Sequence, residues 1–398
     1  FKSATEPFRL EKMSDENKVQ MKELLSDISN SVFSSIAADR KINLENLNLA
    51  INELRTSMPE DALSSGLIDK ITYLDEAEWE LKSLMKLGEK TELKKLTLSN
   101  YLEDKFPLFK NEGIAVYVAE GDIVDGKAEE GSIGSEDMVK DIRAMAEDKD
   151  IKAVVLRINS PGGSALASDI ILRELDILKK KKPLVVSMGN VAASGGYYIA
   201  SGAEKIFAEK NTITGSIGVF GIIPNIGQML ENKLGVTFDE VELHEHAAMG
   251  VYKNFDALEA ARIQQSIDKI YLSFKSIVAK GRNMNIDSLE NIAQGRVWSG
   301  TRAKELKLVD EIGGLKDAIA YIAKSKSLNA SNYFFFNKRK SDFEMLFEGF
   351  SNEDTKSLIE EKYLKSKLGS YSKYYDMLKS FENIRGAQMR MVYQVNGL

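Results

Sequence analysis

The stretch Ala153-Val154-Val155-Leu156-Arg157-Ile158-Asn159-Ser160-Pro161-Gly162-Gly163-Ser164 decides the fold. It opens as an apolar run, the pattern of a strand buried on both faces, and breaks at a Pro-Gly-Gly turn. Directly after it, Ile170, Ile171, Leu175 and Leu178 fall at helical spacing within 167–178. Leu184-Val185-Val186-Ser187-Met188 then reads as another strand, as do 114–118 upstream and 205–208 downstream. Strands alternating with helices predict an α/β fold, with right-handed crossovers and helices covering the sheet. Residues 257–281 predict a long amphipathic helix stopped at Gly281. Beyond about 327 the composition turns aromatic and charged, and a helical tail is expected from Asp342.

Two turns in this frame carry chemistry. The glycines of 159–164 let a backbone approach a ligand and point bare N–H groups at it, as an oxyanion hole requires. A glycine-rich turn without a ligand is the plainer reading of that segment alone. After the next strand comes Ala192-Ala193-Ser194-Gly195-Gly196-Tyr197-Tyr198. Ser194 is either a helix N-cap or a nucleophile whose neighbour Gly195 shares its oxyanion with Gly162 and Gly163. Consecutive parallel strands bring their C-terminal ends side by side, which favours the second reading.

A nucleophilic serine needs a base. The only histidines are His244 and His246, in a polar stretch, where a triad member, half a metal site and plain surface residues are all open readings. Asp169, one helical turn past the glycines, is read as a solvated helix residue rather than a triad acid.

Composition narrows the classes. The 398 residues are 43% hydrophobic and 29% charged, ordinary for globular chains and long enough for two cored domains. A net charge of −6 speaks against a nucleic-acid partner. The lysines at 179–182 precede Pro183 and read as a solvated helix end. With no cysteine, a thiol nucleophile, disulfides and a cysteine-ligated metal are excluded. No apolar run approaches the roughly 20 residues that span a bilayer. The chain opens at Phe1 without an initiating Met, so it is expected to belong to a longer polypeptide, which would supply any anchor.

A repeat is also visible. Residues 303–312 echo 62–71, Leu308-Val309-Asp310 matching Leu67-Ile68-Asp69, at an offset of 241. That offset also pairs Ser35-Ile36-Ala37 with Ser276-Ile277-Val278, and Arg55 with Arg296. The later copy is preceded by the strand-rich half, about 113–243, whereas the earlier copy has none. The chain is expected to begin inside a first repeat.

Segments 159–164, 193–198 and Thr212-Ile213-Thr214-Gly215-Ser216-Ile217-Gly218 resemble the signature blocks of the signal peptide peptidase (protease IV) family, a resemblance reaching to about Ala323. It implies a crotonase-like (Clp protease-like) tandem repeat of which the first copy keeps only its C-terminal helical half. The domains are then 1–95, 110–326 and a tail, 327–398. The opening Phe1-Lys2-Ser3-Ala4-Thr5-Glu6-Pro7-Phe8 is similar to the family's lysine block, with Phe for Tyr at its start. The resemblance thus makes Ser194 the nucleophile, Lys2 the base and Ser216 the residue orienting the lysine. Gly162, Gly163 and Gly195 form the oxyanion hole, and no metal or cofactor is called for. Lys253 competes with Lys2, because single-repeat members carry the lysine after the serine. A lysine serves as base only if desolvation lowers its pKa. The wall around Lys2 is expected from chain upstream of Phe1.

The implied activity is a Ser/Lys-dyad endopeptidase for cleaved signal peptides and other small hydrophobic peptides. The implied setting is the periplasmic face of a bacterial inner membrane, in a homo-oligomeric ring expected as a tetramer, without nucleic acid. Rival readings are a crotonase-type acyl-CoA enzyme and a non-catalytic envelope scaffold.

Overall fold

The apolar runs of the second half form the strands expected of them, several of them longer. In chain order these are β1 (Gly113–Glu120), β2 (Asp122–Val124), β3 (Ser132–Gly134), β4 (Ile151–Ser160), β5 (Gly162–Ser164), β6 (Leu184–Ala193) and β7 (Lys205–Ala208). β8 (Ile213–Gly215), β9 (Phe220–Gly221), β10 (Val297–Ser299), β11 (Glu311–Ile312), β12 (Tyr333–Phe335) and β13 (Ala387–Arg390) follow. The computed structural model describes residues 3–88, 91–93, 113–128, 131–223, 225–239, 246, 252–337 and 387–390.

The larger sheet runs β10-β8-β6-β4-β1-β12, with β7 on the lower half of β6 and β11 on β7. Its pairings are parallel except for β10 against β8. A smaller sheet runs β3-β2-β5-β13-β9. The helices in chain order are α1 (Asp15–Arg40), α2 (Leu44–Asn52), α3 (Pro59–Ser64), α4 (Leu74–Leu84), α5 (Ser135–Glu147) and α6 (Ala165–Lys179). They continue with α7 (Gly195–Ala200), α8 (Gly227–Leu234), α9 (Ala257–Arg282), α10 (Ile286–Glu290), α11 (Gly300–Glu305) and α12 (Leu315–Ser325).

Strand side chains alternate between two buried faces. Ile114 and Val116 of β1 pack with Ala153, Val155 and Val185 against Ile319 and Ile322 of α12. Their neighbours Ala115 and Tyr117 point the other way, into a core with Ile142, Ile171 and Leu175 of α5 and α6. Each fully buried side chain of this size contributes about 1.5–3 kcal/mol. α9 starts where Asp256 accepts from the N–H groups of Leu258 and Glu259, while Glu259 reaches back to the Asp256 N–H. It stops at Asn283, whose left-handed φ of 50° ends the ladder.

The chain divides into two units, one of Phe1–Leu24 with Asn111–Leu398 and the other of Leu25–Lys110. Within the second, Arg40 donates to both carboxylate oxygens of Asp69, at 3.1 and 2.8 Å, and to the Gly66 carbonyl. Within the first, Arg282 makes the same contacts with Asp310, at 3.0 and 2.6 Å, and with the Lys307 carbonyl. Arg40 therefore corresponds to Arg282, an offset of 242 rather than 241. The pairing of 35–37 with 276–278 is thus one residue out, because the connector from α1 to α3 is one residue longer than that from α9 to α11.

The helix expected from Asp342 lies outside the described residues. The described pieces beyond 327 include two strands. β12 pairs in parallel with β1 through Tyr333, Phe334 and Phe335, so the larger sheet extends past the boundary expected at 326.

Candidate active site

Ser194 follows β6, just past an irregularity where the β4–β6 register shifts between Ile158 and Ser160 and resumes with Ser160 opposite Ala192. Its φ of 55° and ψ of −115° are sterically costly for a residue with a side chain, of the order of 1–3 kcal/mol. Two main-chain bonds hold it there. The Ser194 N–H donates to the Gly215 carbonyl at 2.9 Å, and its carbonyl accepts from the Tyr198 N–H at 2.8 Å. A sharp strand-to-helix turn of this kind presents the serine nucleophile in α/β-hydrolases.

Ser216 repeats the arrangement one strand over. The β6–β8 register sets Ala193 opposite Gly215, so Ser194 and Ser216 leave neighbouring strand ends. Ser216 has φ 51°, and its N–H donates to the Arg296 carbonyl at 2.6 Å. Thr214 Oγ1 ties the two strands by donating to the Ala192 carbonyl at 2.6 Å. Both serines are buried.

The two turns singled out in the sequence meet. A Cβ placed on Gly162 would stand 2.6 Å from the Gly195 nitrogen, and one on Gly196 would stand 2.7 Å from the Ser160 carbonyl oxygen. Only glycine permits this approach, and Gly162 also has a left-handed φ of 102°. The Gly162 N–H donates to Ser160 Oγ at 3.2 Å, so that donor shapes the turn. Ser164 caps α6 through Ala167 N–H, and Ser168 Oγ donates to the Ser164 carbonyl. Ser160 and Ser168, both fully buried, support the turn and were not picked out by the sequence; buried serines have no pattern of their own.

Lys2 lies outside the described residues, as does His244. The block that follows Lys2 is a 3₁₀ turn, Ser3–Phe8. Its Glu6 accepts from Ser14 N–H, Ser14 Oγ and Asn17 Nδ2, at 3.2, 2.6 and 2.9 Å. Burial alone would raise the Glu6 pKa, but these hydrogen bonds outweigh it and hold the carboxyl below its usual range. The acid of the lysine block is thereby a strap that fastens the turn to the start of α1. Residues 1–24 belong to the same compact unit as Ser194.

The other sequence candidates have separate surroundings. Lys253 lines a cavity with Asn225, Gly227, Glu231 and Phe238. His246 Nδ1 lies 3.0 Å from Asp256 and 3.3 Å from Glu259. That trio could gather around an ion, yet both carboxylates already cap α9. Asp169 accepts from Tyr198 OH at 2.7 Å, and Tyr197 OH donates to the Leu308 carbonyl. Burial pushes both phenols above their usual pKa, so neither is a proton acceptor at neutral pH.

The sequence is similar to those of known proteins. Residues 176–329 match the model of peptidase family S49, and residues 120–213 match that of Clp protease. Protease 4 of Haemophilus influenzae is 36% identical over 332 residues, covering 80% of this chain and 54% of that protein. The chloroplastic serine protease SPPA of Arabidopsis thaliana is 34% identical over 341 residues, covering 82% and 49%. A putative signal peptide peptidase SppA of Enterococcus faecium is 40% identical over 189 residues, covering 47% and 55%. The chain spans about half the length of the curated relatives it matches. By sequence, the part of the chain that holds Ser194 and Ser216 matches peptidase family S49, and its α/β fold is Clp protease-like.

Proposed function

We propose that this chain carries the nucleophile of a serine endopeptidase acting on small hydrophobic peptides, cleaved signal peptides among them. The observation that carries the reading is the strained backbone of Ser194 at the end of β6, against the Gly162–Gly163 turn. Ser194 Oγ attacks the peptide carbonyl and Lys2 takes its proton. The N–H groups of Gly163 and Gly195 hold the oxyanion, while Gly162 shapes their turn. Lys2 then protonates the leaving amine, and water, deprotonated by the same lysine, hydrolyses the ester on Ser194. Ser216 orients the lysine nitrogen.

The names borne by the relatives, Protease 4 and signal peptide peptidase SppA, support the substrate class. Support for Lys2 comes from its neighbours. Ser3 is buried and the Ser3–Phe8 turn is strapped by Glu6, within the unit that holds Ser194. We read 1–95 as the helical half of a first repeat and 110–326 as a second, complete one; the shared Arg–Asp clamp supports this. The assembly is a homo-oligomeric ring, and its setting is the periplasmic face of a bacterial inner membrane. Among the described residues no helix is long and apolar enough to cross a membrane, so an anchor is sought outside them.

A fluorophosphonate probe tests the nucleophile. Labelling of the parent chain and its loss in Ser194→Ala are expected. Unchanged labelling of Ser194→Ala removes the assignment.

A further inference from the structure

In the larger sheet β6, the strand before Ser194, has β4 on one edge and β8 on the other, with β10 beyond β8. β10 runs antiparallel to β8 and sets Val297, Trp298 and Ser299 opposite Gly215, Thr214 and Ile213. Gly215 stands between the two serine turns. Its carbonyl accepts from the Ser194 N–H, and the next residue is Ser216, whose N–H donates to the Arg296 carbonyl. Gly215 has a left-handed φ of 80°. A Cβ there would stand 2.8 Å from Trp298 Cδ1 and 3.1 Å from the Arg296 carbonyl oxygen. The edge of the indole therefore fills the place that a side chain at Gly215 would take.

The indole is itself held in place. Its Nε1–H donates to the Ile292 carbonyl at 3.0 Å. The segment between Ile292 and Trp298 is fastened to α9, because the Gln294 N–H donates to the Tyr271 hydroxyl at 3.1 Å. That hydroxyl and the Lys275 ammonium both reach Glu290, at 3.0 and 2.6 Å. The Gly295 N–H closes the bracket by donating to the Ile217 carbonyl at 2.8 Å. The helical part of the repeat does not call for this indole. α3 and α11 have equal lengths at an offset of 241, and that offset puts an exposed serine, Ser57, where the second copy has Trp298. Among the described residues no strand precedes Gly113, so Ser57 has no serine turn to face.

We propose that Trp298 is a positioning residue for the two serines, bracing Gly215 so that Ser194 and Ser216 keep their turns. A residue in a costly φ/ψ region persists only where its surroundings over-determine it. Ser194 is held in part by the Gly215 carbonyl, and Gly215 is held by the indole edge and by the strand that carries it. Trp298 thus acts through Gly215 on the nucleophile and on the serine proposed to orient the lysine. The consequence for activity rests on the proposed peptidase reading; the bracing itself is open to measurement without turnover. A shift of about 1 Å in a reacting group can cost on the order of 100-fold in rate, so a small relaxation at Gly215 is enough to be seen.

The test compares the full chain with Trp298→Phe, which keeps a ring against Gly215 but loses the N–H, and with Trp298→Leu, which loses both. Amide hydrogen exchange is followed residue by residue by NMR, and a fluorophosphonate probe measures the rate of labelling at Ser194. In Trp298→Leu the Ser194 and Ser216 amides should exchange at least about tenfold faster, while Val155 and Leu156 of β4 stay within about twofold of the parent. Labelling should slow at least about tenfold in Trp298→Leu, with Trp298→Phe between it and the parent in both readings. Exchange that speeds up equally at all four amides, or at none, overturns the proposal, because loss of packing alone gives no preference for the serines. Parent-like labelling of Trp298→Leu overturns it as well. If Trp298→Leu fails to fold, Trp298→Phe decides, with about threefold changes expected in the same two readings. Selective exchange in chains whose Ser194 is never labelled would defeat the peptidase reading and leave the brace standing. A labelled parent with no selective exchange in the variants would do the reverse.

Discussion

Two helical segments of the chain, α1–α4 and α9–α12, are built alike and buried differently. Their long first helices have 26 residues each, their third 6 and their last 11. Ile42 N–H returns to the Ala37 carbonyl at 2.9 Å as Met284 N–H returns to Ala279 at 2.8 Å, and Asn43 and Asn285 cap the second helices. Glu76 and Asp317 accept from the N–H groups of Tyr73 and Gly314 at the start of the fourth. Yet α4 buries no residue, whereas α12 buries Ala318, Ile319, Ile322 and Ala323 against the larger sheet. Caps, turns and the Arg–Asp clamp are thus set by the helices' own sequence, and burial by what the helices rest on.

That difference is open to measurement. The largest contrast is expected between Ile322 and its counterpart Leu81, which are 0% and 50% exposed. Ile322→Ala should destabilise by about 3 kcal/mol and Leu81→Ala by less than about 0.5, read as shifts in urea denaturation midpoint. Equal shifts would break the comparison. In a chain extended upstream by the strands of a first repeat, the Leu81→Ala shift should grow toward that of Ile322→Ala.

The two clamps come next. The Arg282 and Asp310 side chains are 7% and 26% exposed, those of Arg40 and Asp69 31% and 87%. Removing Arg282 leaves a half-buried carboxylate without its partner, so Arg282→Ala should cost about 2 kcal/mol, discounted from a fully buried pair. Arg40→Ala should leave stability unchanged within error, since solvent screens its pair. Unfolding of the two variants at one denaturant concentration would contradict this ranking.

The smallest effect concerns acid. The folded pKa of Glu6 is lowered, so its strap is fully present above the ordinary carboxylate pKa and is lost as pH falls through the lowered folded value. Amide protection at Ser14 should decline below about pH 4, and Glu6→Gln should abolish that dependence. A parent profile flat down to pH 2 would assign the turn to packing alone.

Much of this was readable in the sequence. Mostly apolar runs at 153–158 and 184–188 gave two central strands, and 257–281 gave α9, because period and breaker residues agree there. The two glycine turns could be placed together because parallel strands align their ends. Ser194 looked like a helix cap as much as a nucleophile, since its positive φ leaves no mark in composition. The repeat was visible through Leu-Ile/Val-Asp, but its register in α1 was one residue out. A helix tolerates such slips in sequence matching, and only the Arg–Asp geometry fixes them. β13 was missed because its pairing partners lie more than 160 residues away and no turn signal links them.

The proposed active site joins Ser194 to Lys2, at the start of the helical half read as a first repeat. Its most direct test is the rate at which a peptidyl fluorophosphonate acylates Ser194, followed against pH in Lys2→Ala and Lys253→Ala and in chains extended upstream of Phe1. Lys2→Ala should slow acylation at least about 100-fold and erase its rise with pH, because the serine loses its proton acceptor. Lys253→Ala should behave as the parent. A slow Lys253→Ala beside an unimpaired Lys2→Ala would place the base inside the second repeat and contradict the two-part site.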